Sequence, residues 1–263
     1  MSLGKLFSFI FVLSFPLIFS ACSPEETSVA GPIDAAVASE KRFAEDIAKD
    51  DYRKPAQILD FFGVKQGMNV IDIFSGGGYY TEMLSHVVGD QGSVIAHNNE
   101  GYKNFANEEI IKRYAGARLQ NTQQYWAEAN EMQYEANSAD LVMLVLGFHD
   151  IFYMPEDQSW PTIDIDAFLN SIIVAMKDGA VLAIVDHRAI AGAPSTTGHA
   201  LHRIDPAIVI EELTKRGLVL EAESDILANS EDDLITPMWD PSIKSHTDRF
   251  VMRFRKPAVS AVQ

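Results

Sequence analysis

Hydrophobic residues along most of the chain fall into short unbroken runs, or recur at the spacing of one helix face. Residues 70–74 form such a run and predict a buried strand, and residues 80–88 carry apolar positions at threes and fours. The same strand-then-helix order recurs further on, which is typical of a parallel sheet with crossover helices. The predicted strands are 70–74, 93–96, 123–127, 141–146, 181–185, 218–223 and 249–254, and the predicted helices are 35–49, 55–62, 80–88, 108–115, 165–176 and 205–216.

The alternation of strands and helices stops after residue 223. Residues 227–247 contain two prolines and show no helical stripe, whereas residues 249–254 alternate basic and apolar side chains as a strand does. A parallel return to the sheet requires a crossover element. We therefore predict that the last strand is antiparallel, in an α/β fold with one doubly wound sheet and helices on both faces.

Composition sets the class of protein and its partners. The chain has 263 residues, 47% hydrophobic and 22% charged, which suits one compact domain and excludes a disordered, collagen-like or disulfide-rich protein. Its formal net charge of -16 argues against binding to phosphate backbones. We therefore expect no nucleic-acid partner.

The first 22 residues have the pattern of an export signal. Lys5 precedes an apolar run to Phe19 that is too short to span a bilayer comfortably. The sole cysteine, Cys22, follows in a segment that resembles the lipobox of bacterial lipoproteins, and Phe19 is too bulky for ordinary cleavage after Ala21. The resemblance implies acylation of Cys22, and hence an exported protein, periplasmic or attached to the outer membrane, that meets the membrane only through this anchor.

The leader sets the expected domain organisation. We predict a lipoprotein-type signal peptide over residues 1–22 and a flexible tether over residues 23–34, which are small, polar and acidic. A single domain with an N-terminal helical cap should follow over residues 35–257, and a short tail over residues 258–263. The first helix of the cap is a candidate lid over the ligand cleft.

Candidate ligand-binding residues follow the first predicted strand. In doubly wound sheets, ligands bind at the carboxyl ends of the strands, and the Gly76–Gly78 turn lies there. The turn resembles a degenerate dinucleotide fingerprint, with Glu100 as the acid that would bind ribose. However, Asp72 at the end of the strand would repel a pyrophosphate and attract a ligand with ammonium and sulfonium charges. S-adenosylmethionine (SAM) is such a ligand.

Several segments carry a resemblance to a known family. From about residue 43 to residue 256, the chain resembles the class I SAM-dependent methyltransferases and, more narrowly, a bacterial family of predicted, often exported, methyltransferases. The resemblance implies a Rossmann-like seven-stranded sheet with an antiparallel last strand, a methyltransferase activity and SAM as the cofactor. The matching segments are 53–55, 63–68, 76–82, 147–150, 202–205 and 247–250.

The resemblance also implies roles for individual residues. Asp72 and Gly76–Gly78 match the motif that holds the methionine part of SAM, although Phe74 stands where the family usually has its first glycine. Glu128 lies where the broad family places an acid near the adenine. The usual ribose-binding acid after the second strand is missing, so Asn98 and Glu100 become the candidates for that contact.

Further candidates face the sulfonium and the acceptor. Tyr79 is an aromatic candidate beside the sulfonium. His149 and Asp150 follow the fourth predicted strand, where the acceptor would lie, and an imidazole there has a proton affinity suited to a base. We therefore expect His149 and Asp150 to be the catalytic pair, and the acceptor to be a small molecule.

Two other functions fit the same residues. A noncatalytic exported binding protein that retains the fold would explain an export signal on a chain whose ligand is made in the cytosol. A metal-assisted hydrolase would use His149, His187 and His202 as ligands. The spacings between these histidines are loose, so our prediction is that the chain holds no metal.

Overall fold

The computed structural model describes Met1, residues 31–157 and residues 159–258. The predicted signal peptide after Met1, including Cys22, lies outside the described residues, as do the tether up to residue 30 and the tail from residue 259. Within the described part of the chain, no helix has the length and apolar character that a membrane crossing requires.

The described residues form one seven-stranded sheet in the order β3-β2-β1-β4-β5-β7-β6. All neighbouring strands are parallel except β7, which is antiparallel to both β5 and β6. The predicted fold class and the reversed last strand are therefore confirmed. The strands are β1 (Asn69–Ile73), β2 (Ser93–Asn98), β3 (Thr122–Trp126), β4 (Ala139–Val145), β5 (Met176–His187), β6 (Val219–Ser224) and β7 (Arg249–Arg255).

Helices cover both faces of the sheet, and five of the six predicted helices match an observed helix within two residues at each end. The helices are α1 (Pro32–Val37), α2 (Ala44–Ile47), α3 (Asp50–Arg53), α4 (Pro55–Phe62), α5 (Tyr79–Val88), α6 (Glu100–Phe105), α7 (Asn107–Tyr114), α8 (Ile165–Ala175), α9 (Thr197–Leu201) and α10 (Pro206–Thr214). Helix α1 begins within the predicted tether.

The predicted single helix over residues 35–49 is wrong, because this segment folds into α1, α2 and the turns beside them. The buried guanidinium of Arg42 donates hydrogen bonds to the Val37 carbonyl at 2.7 Å and to the Asp50 carboxylate at 2.6 Å. These bonds tie the end of α1 to the start of α3, which a straight helix would keep far apart.

The hydrophobic core lies in two layers on opposite faces of the sheet. Successive residues of β1 point to opposite faces, so Val70 packs with Leu84 of α5 while Ile71 belongs to the cluster around Phe168 of α8. Full burial of each such side chain contributes roughly 1.5–3 kcal/mol to stability. The two layers hold the carboxyl ends of β1, β4 and β5 in fixed positions at one edge of the sheet.

Candidate active site

A cleft of about 450 Å³ opens at the carboxyl ends of the central strands. Its floor is formed by Ser75–Gly77 after β1, by Val145 and Leu146 at the end of β4, and by His187 at the end of β5. Strand order reverses between β1 and β4, which is the place where ligands bind in doubly wound sheets. The N-terminal segment borders the cleft through α2 and α3, so the predicted cap lies beside the candidate site.

The glycine turn allows both a left-handed backbone conformation and the close approach of α7. Gly76 and Gly78 have φ values of +54° and +79°, which favour glycine. A Cβ on Gly77 would lie 2.6 Å from the Cβ of Glu109. The Arg113 guanidinium donates to the Gly77 carbonyl at 2.9 Å. Gly76 and Gly77 line the cleft, whereas Gly78 packs against α7.

Asn98 braces the turn instead of facing the cleft. Its side-chain oxygen accepts a hydrogen bond from the Gly76 backbone N–H at 2.8 Å, and its amide donates to the Ser75 hydroxyl at 3.0 Å. The side chain is buried and does not line the cleft. The structure therefore gives Asn98 a positioning role, where the sequence predicted a contact with ribose.

Asp72 also lies behind the turn. Its carboxyl group is 3% exposed, does not line the cleft and accepts a hydrogen bond of 2.6 Å from the Thr81 hydroxyl on α5. Burial raises the pKa of Asp72 to about 7, although the bond from Thr81 lowers it. The expectation that this carboxylate faces a cationic ligand is not met, because the side chain turns toward α5.

The charges that do line the cleft are mainly positive. Among the described residues, neither Arg53 nor Arg249 forms an ion pair, and Arg53 Nε is buried without a hydrogen-bond partner. Arg249 is 4% exposed, and burial together with the nearby charge of Arg53 lowers the pKa of Arg249 to about 10. These two guanidinium groups form a cationic end of the cleft that suits an anionic group.

Carboxylates border the other parts of the cleft. Asp46 pairs with Lys49 at 2.9 Å and with Arg113. Glu109 lies beside the glycine turn, and within the described part of the chain it forms no ion pair. Glu109 is thus the lining carboxylate that remains free for a ligand cation.

Tyr79, predicted to lie beside the sulfonium, lines the cleft. Its hydroxyl donates to Asp50 at 2.6 Å, and the Arg53 guanidinium carbon lies 4.6 Å from the centre of its ring. The ring thus supports the cationic end of the cleft from one side.

The two predicted acids after β2 and β3 lie near each other but outside the cleft lining. Glu128 Oε1 accepts a hydrogen bond of 3.2 Å from the Glu100 backbone N–H, and Glu128 Oε2 is buried without a partner among the described residues. The Glu100 carboxylate is 62% exposed and pairs with Lys103 at 3.2 Å. Glu128 therefore keeps an unused acceptor, whereas Glu100 faces solvent.

A second cavity of about 440 Å³ adjoins the cleft. His149, Asp150 and His202 line it, together with Tyr153 and Trp160. The two cavities share a boundary made of Tyr102, Phe105 and Met238. This arrangement gives a site with two adjoining compartments.

The shared boundary is fixed on both sides. The Tyr102 ring stacks on Phe74 with ring centres 5.0 Å apart and planes inclined by 14°. Its hydroxyl donates to Asp150 Oδ2 at 2.7 Å. Tyr102 therefore connects the turn after β1 with the second cavity.

His149 is held in place by Asp186 at the end of β5. The ring Nδ1 lies 2.6 Å from Asp186 Oδ1, and the His149 backbone N–H donates to Asp186 Oδ2 at 2.8 Å. Burial lowers the pKa of His149, but the carboxylates of Asp186 and Asp150 outweigh it and raise the pKa to about 10. The two carboxylates thus favour the protonated form of the His149 ring.

The three histidines considered from the sequence do not converge. His149 Nε2 lies 3.2 Å from His202 Nδ1. His187 Nδ1 instead lies 2.6 Å from the Thr247 hydroxyl, and its ring borders the first cleft. The structure brings Asp150, not His187, together with the other two.

Several residues that line or support the two cavities were not predicted as site residues from the sequence. Arg53 and Arg249 belong to segments 53–55 and 247–250, which carried the family resemblance, so that signal was present. Tyr102 and Asp186 had no comparable signal, because only the folded chain brings α6 and the end of β5 next to Asp150.

Comparisons with known proteins agree with this architecture. The fold is that of the class I SAM-dependent methyltransferases. Residues 50–121 match the family model of Protein-L-isoaspartate(D-aspartate) O-methyltransferase, and the chain is similar to the Ubiquinone/menaquinone biosynthesis C-methyltransferase UbiE of Idiomarina loihiensis, with 26% identity over 129 residues. That alignment covers 49% of this chain and 46% of the relative, so the chain spans about half the length of the curated relatives it matches.

Solved structures show the same fold at low sequence identity. A SAM-dependent methyltransferase from Aquifex aeolicus superposes with a TM-score of 0.54 and 21% identity, over 79% of this chain and 98% of that one. The [4+2]-cyclase SpnF superposes with a TM-score of 0.51 and 15% identity, over 82% of each chain. The fold and the family model support the prediction of a methyltransferase that uses SAM, while the cyclase shows that the fold alone does not fix the reaction.

Proposed function

We propose that the protein is a SAM-dependent methyltransferase that acts on a small molecule, with SAM in the cleft beside the glycine turn. The observation that carries this proposal is the position of that cleft. It lies where the strand order reverses, between the turn after β1 and the guanidinium groups of Arg53 and Arg249, which form no ion pair among the described residues.

The residues present fit the charges of SAM. Its carboxylate matches Arg53 and Arg249, of which Arg53 has a buried nitrogen without a partner. Its ammonium group matches the Glu109 carboxylate, which forms no ion pair among the described residues, and its sulfonium matches the ring of Tyr102 along the cleft, since the Tyr79 ring already faces Arg53. A cleft of about 450 Å³ lies within the usual range for small-ligand sites.

When bound, SAM supplies a methyl group activated by its positive sulfur. The protein's main task is alignment, since an acceptor held at the correct distance and angle reacts far faster than a free one. Phe74 stacks on the Tyr102 ring and Asp150 accepts a hydrogen bond from its hydroxyl, and these two contacts fix the boundary between the two cavities. We assign the cofactor to the first cavity and the acceptor to the second.

The size and lining of the second cavity favour a small acceptor. Its volume is about 440 Å³, and aromatic rings of Tyr153 and Trp160 supply apolar walls beside the polar group of His149, Asp150 and His202. Nothing in the net charge of -16 favours a nucleic acid.

Titration calorimetry of the purified protein with SAM, and separately with its demethylated product, tests the proposal. We expect one site of roughly micromolar affinity for each. Nicotinamide dinucleotides serve as the control for a general nucleotide site. Absence of binding by both SAM and the product, or tighter binding of a dinucleotide, would contradict the proposed function.

We also propose that the protein is exported and attached to a membrane through an acyl group on Cys22. The apolar run that ends at Phe19 and the cysteine directly after Ala21 support this location. Labelling of producing bacteria with a fatty acid should mark the wild-type chain and leave Cys22→Ser unmarked. A wild-type chain that takes up no label while remaining in the cytosolic fraction would refute the proposal.

A further inference from the structure

Three side chains at the second cavity present their donor atoms to a common point. His149 Nε2 lies 3.2 Å from His202 Nδ1 and 3.3 Å from Asp150 Oδ1, and the last two atoms are 3.6 Å apart. Bonds of about 2.0–2.1 Å in a tetrahedral zinc site place any two donors about 3.4 Å apart. In contrast to the prediction from the sequence, we propose that His149, Asp150 and His202 bind one zinc ion.

In His149 and Asp150, the second polar atom of the side chain, which points away from this common point, already takes part in a hydrogen bond. Asp186 holds Nδ1 of His149 at 2.6 Å, which leaves Nε2 for the metal. The Tyr102 hydroxyl holds Oδ2 of Asp150 at 2.7 Å, which leaves Oδ1. A carboxylate behind a ligating histidine is the usual support of a metal site, because it fixes the tautomer and the direction of the ring.

His202 supplies the third donor from an unusual backbone conformation. Its φ is +50°, in the left-handed region that residues other than glycine rarely adopt. The ring packs against Tyr153, with centres 4.7 Å apart, and edge-on against Trp239 at 5.1 Å. The reversed backbone and these two rings turn Nδ1 toward His149.

The donor set selects zinc or a similar transition metal. Two imidazoles and one carboxylate suit zinc, whereas magnesium and calcium prefer oxygen ligands. Two histidines, one carboxylate and an open fourth position are the pattern of catalytic zinc sites. All three residues line the second cavity, so a fourth ligand would come from that cavity.

A direct hydrogen bond between His149 and His202 is the competing explanation. It accounts for the separation of 3.2 Å between their nitrogens. A protonated His149 would also attract Asp150 Oδ1, which lies within 3.6 Å of both rings while its other oxygen is held by Tyr102. The two explanations differ in whether zinc binds, which titration decides, and the zinc site stands independently of SAM binding.

Titration of chelator-treated, full-chain protein with zinc alone, without SAM, tests the inference. We expect one zinc per chain and a rise in melting temperature on binding. His202→Gln should weaken zinc binding by about 100-fold and abolish the thermal shift, and Asp186→Asn should weaken it by about 10- to 100-fold. Replacement of zinc by Co²⁺ should give the visible absorption bands of a four-coordinate ion.

His86→Gln is the matched control, because His86 lies on α5 with a side chain about one-third exposed and outside both cavities. It should bind zinc as the wild type does. His202 is partly exposed, so His202→Gln is the variant expected to fold normally, which circular dichroism verifies. Equal zinc affinity in the wild type and in His202→Gln would overturn the inference, as would an equal loss in His86→Gln. A protein that binds zinc but not SAM would refute the proposed function alone.

Discussion

The Thr81 hydroxyl donates a hydrogen bond of 2.6 Å to the Asp72 carboxyl group inside the protein, behind the turn that borders the cleft. The carboxyl group has no cationic partner among the described residues, and its pKa is raised to about 7 from 3.8. In the folded state, Asp72 therefore holds its proton over a pH range in which the unfolded chain has lost it.

This pKa shift predicts that the free energy of unfolding falls as pH rises from about 4 to about 7. The folded state binds more protons than the unfolded state in this window, so the slope is negative, and the total loss from this group is up to about 4 kcal/mol. Asp72→Asn should remove this part of the slope, whereas Asp60→Asn on the surface should retain it. Urea unfolding at several pH values measures both, and an unchanged slope in Asp72→Asn would contradict the assignment.

Removal of the cationic end of the cleft should weaken SAM binding. We expect Arg249→Gln to raise the Kd of the demethylated product by roughly ten- to a hundredfold, since a hydrogen bond to a charged group contributes about 1.5–3 kcal/mol. Arg255 is the control, because it pairs with Glu221 on β6 outside the cleft. Calorimetry should give Arg255→Gln the same Kd as the wild type. Equal Kd values for the wild type, Arg249→Gln and Arg255→Gln would exclude Arg249 from the site.

Glu128 offers a separate test of the sequence-based assignment to the adenine. Its buried Oε2 has no partner among the described residues and remains available as an acceptor. Glu128→Ala should weaken SAM binding by roughly 1–3 kcal/mol if that oxygen accepts a hydrogen bond from the ligand. The exposed Glu131 on the same loop provides the matched alanine variant. An affinity for SAM that is the same in both variants would exclude Glu128 from the binding site.

The close packing of α7 on the glycine turn predicts a stability effect. Gly77→Ala would place a Cβ 2.6 Å from Glu109 Cβ, so either the turn or α7 must move, at a cost of about 1–3 kcal/mol. Gly31→Ala should be nearly neutral, because a Cβ there meets only the Asp34 carboxylate at 3.8 Å. Unfolding in urea compares the two variants, and equal stabilities would show that α7 does not constrain the turn.

The fold followed from the sequence because its strands are short apolar runs separated by helices with a regular stripe. The reversed β7 was predictable because no crossover element precedes it. The segment 35–49 was not, since Arg42 reaches across from α1 to Asp50, and such a long-range bond leaves no periodic signal.

The candidate site was predictable in position but only partly in its residues. Gly76, Gly77 and Tyr79 line the cleft, and His149 and Asp150 line the cavity beside it. The direction of a side chain such as Asp72 depends on a partner nine residues later on α5, and a sequence pattern does not specify that choice. The cationic end likewise joins residues from opposite ends of the domain.

Tyr102 lines both cavities, with its ring stacked on Phe74 and its hydroxyl hydrogen-bonded to Asp150. A ligand in one cavity that displaced this ring would change the shape of the other cavity. Under the proposed function, a cofactor and an acceptor that each displaced this ring would change each other's affinity, and by thermodynamic linkage each would do so by the same factor.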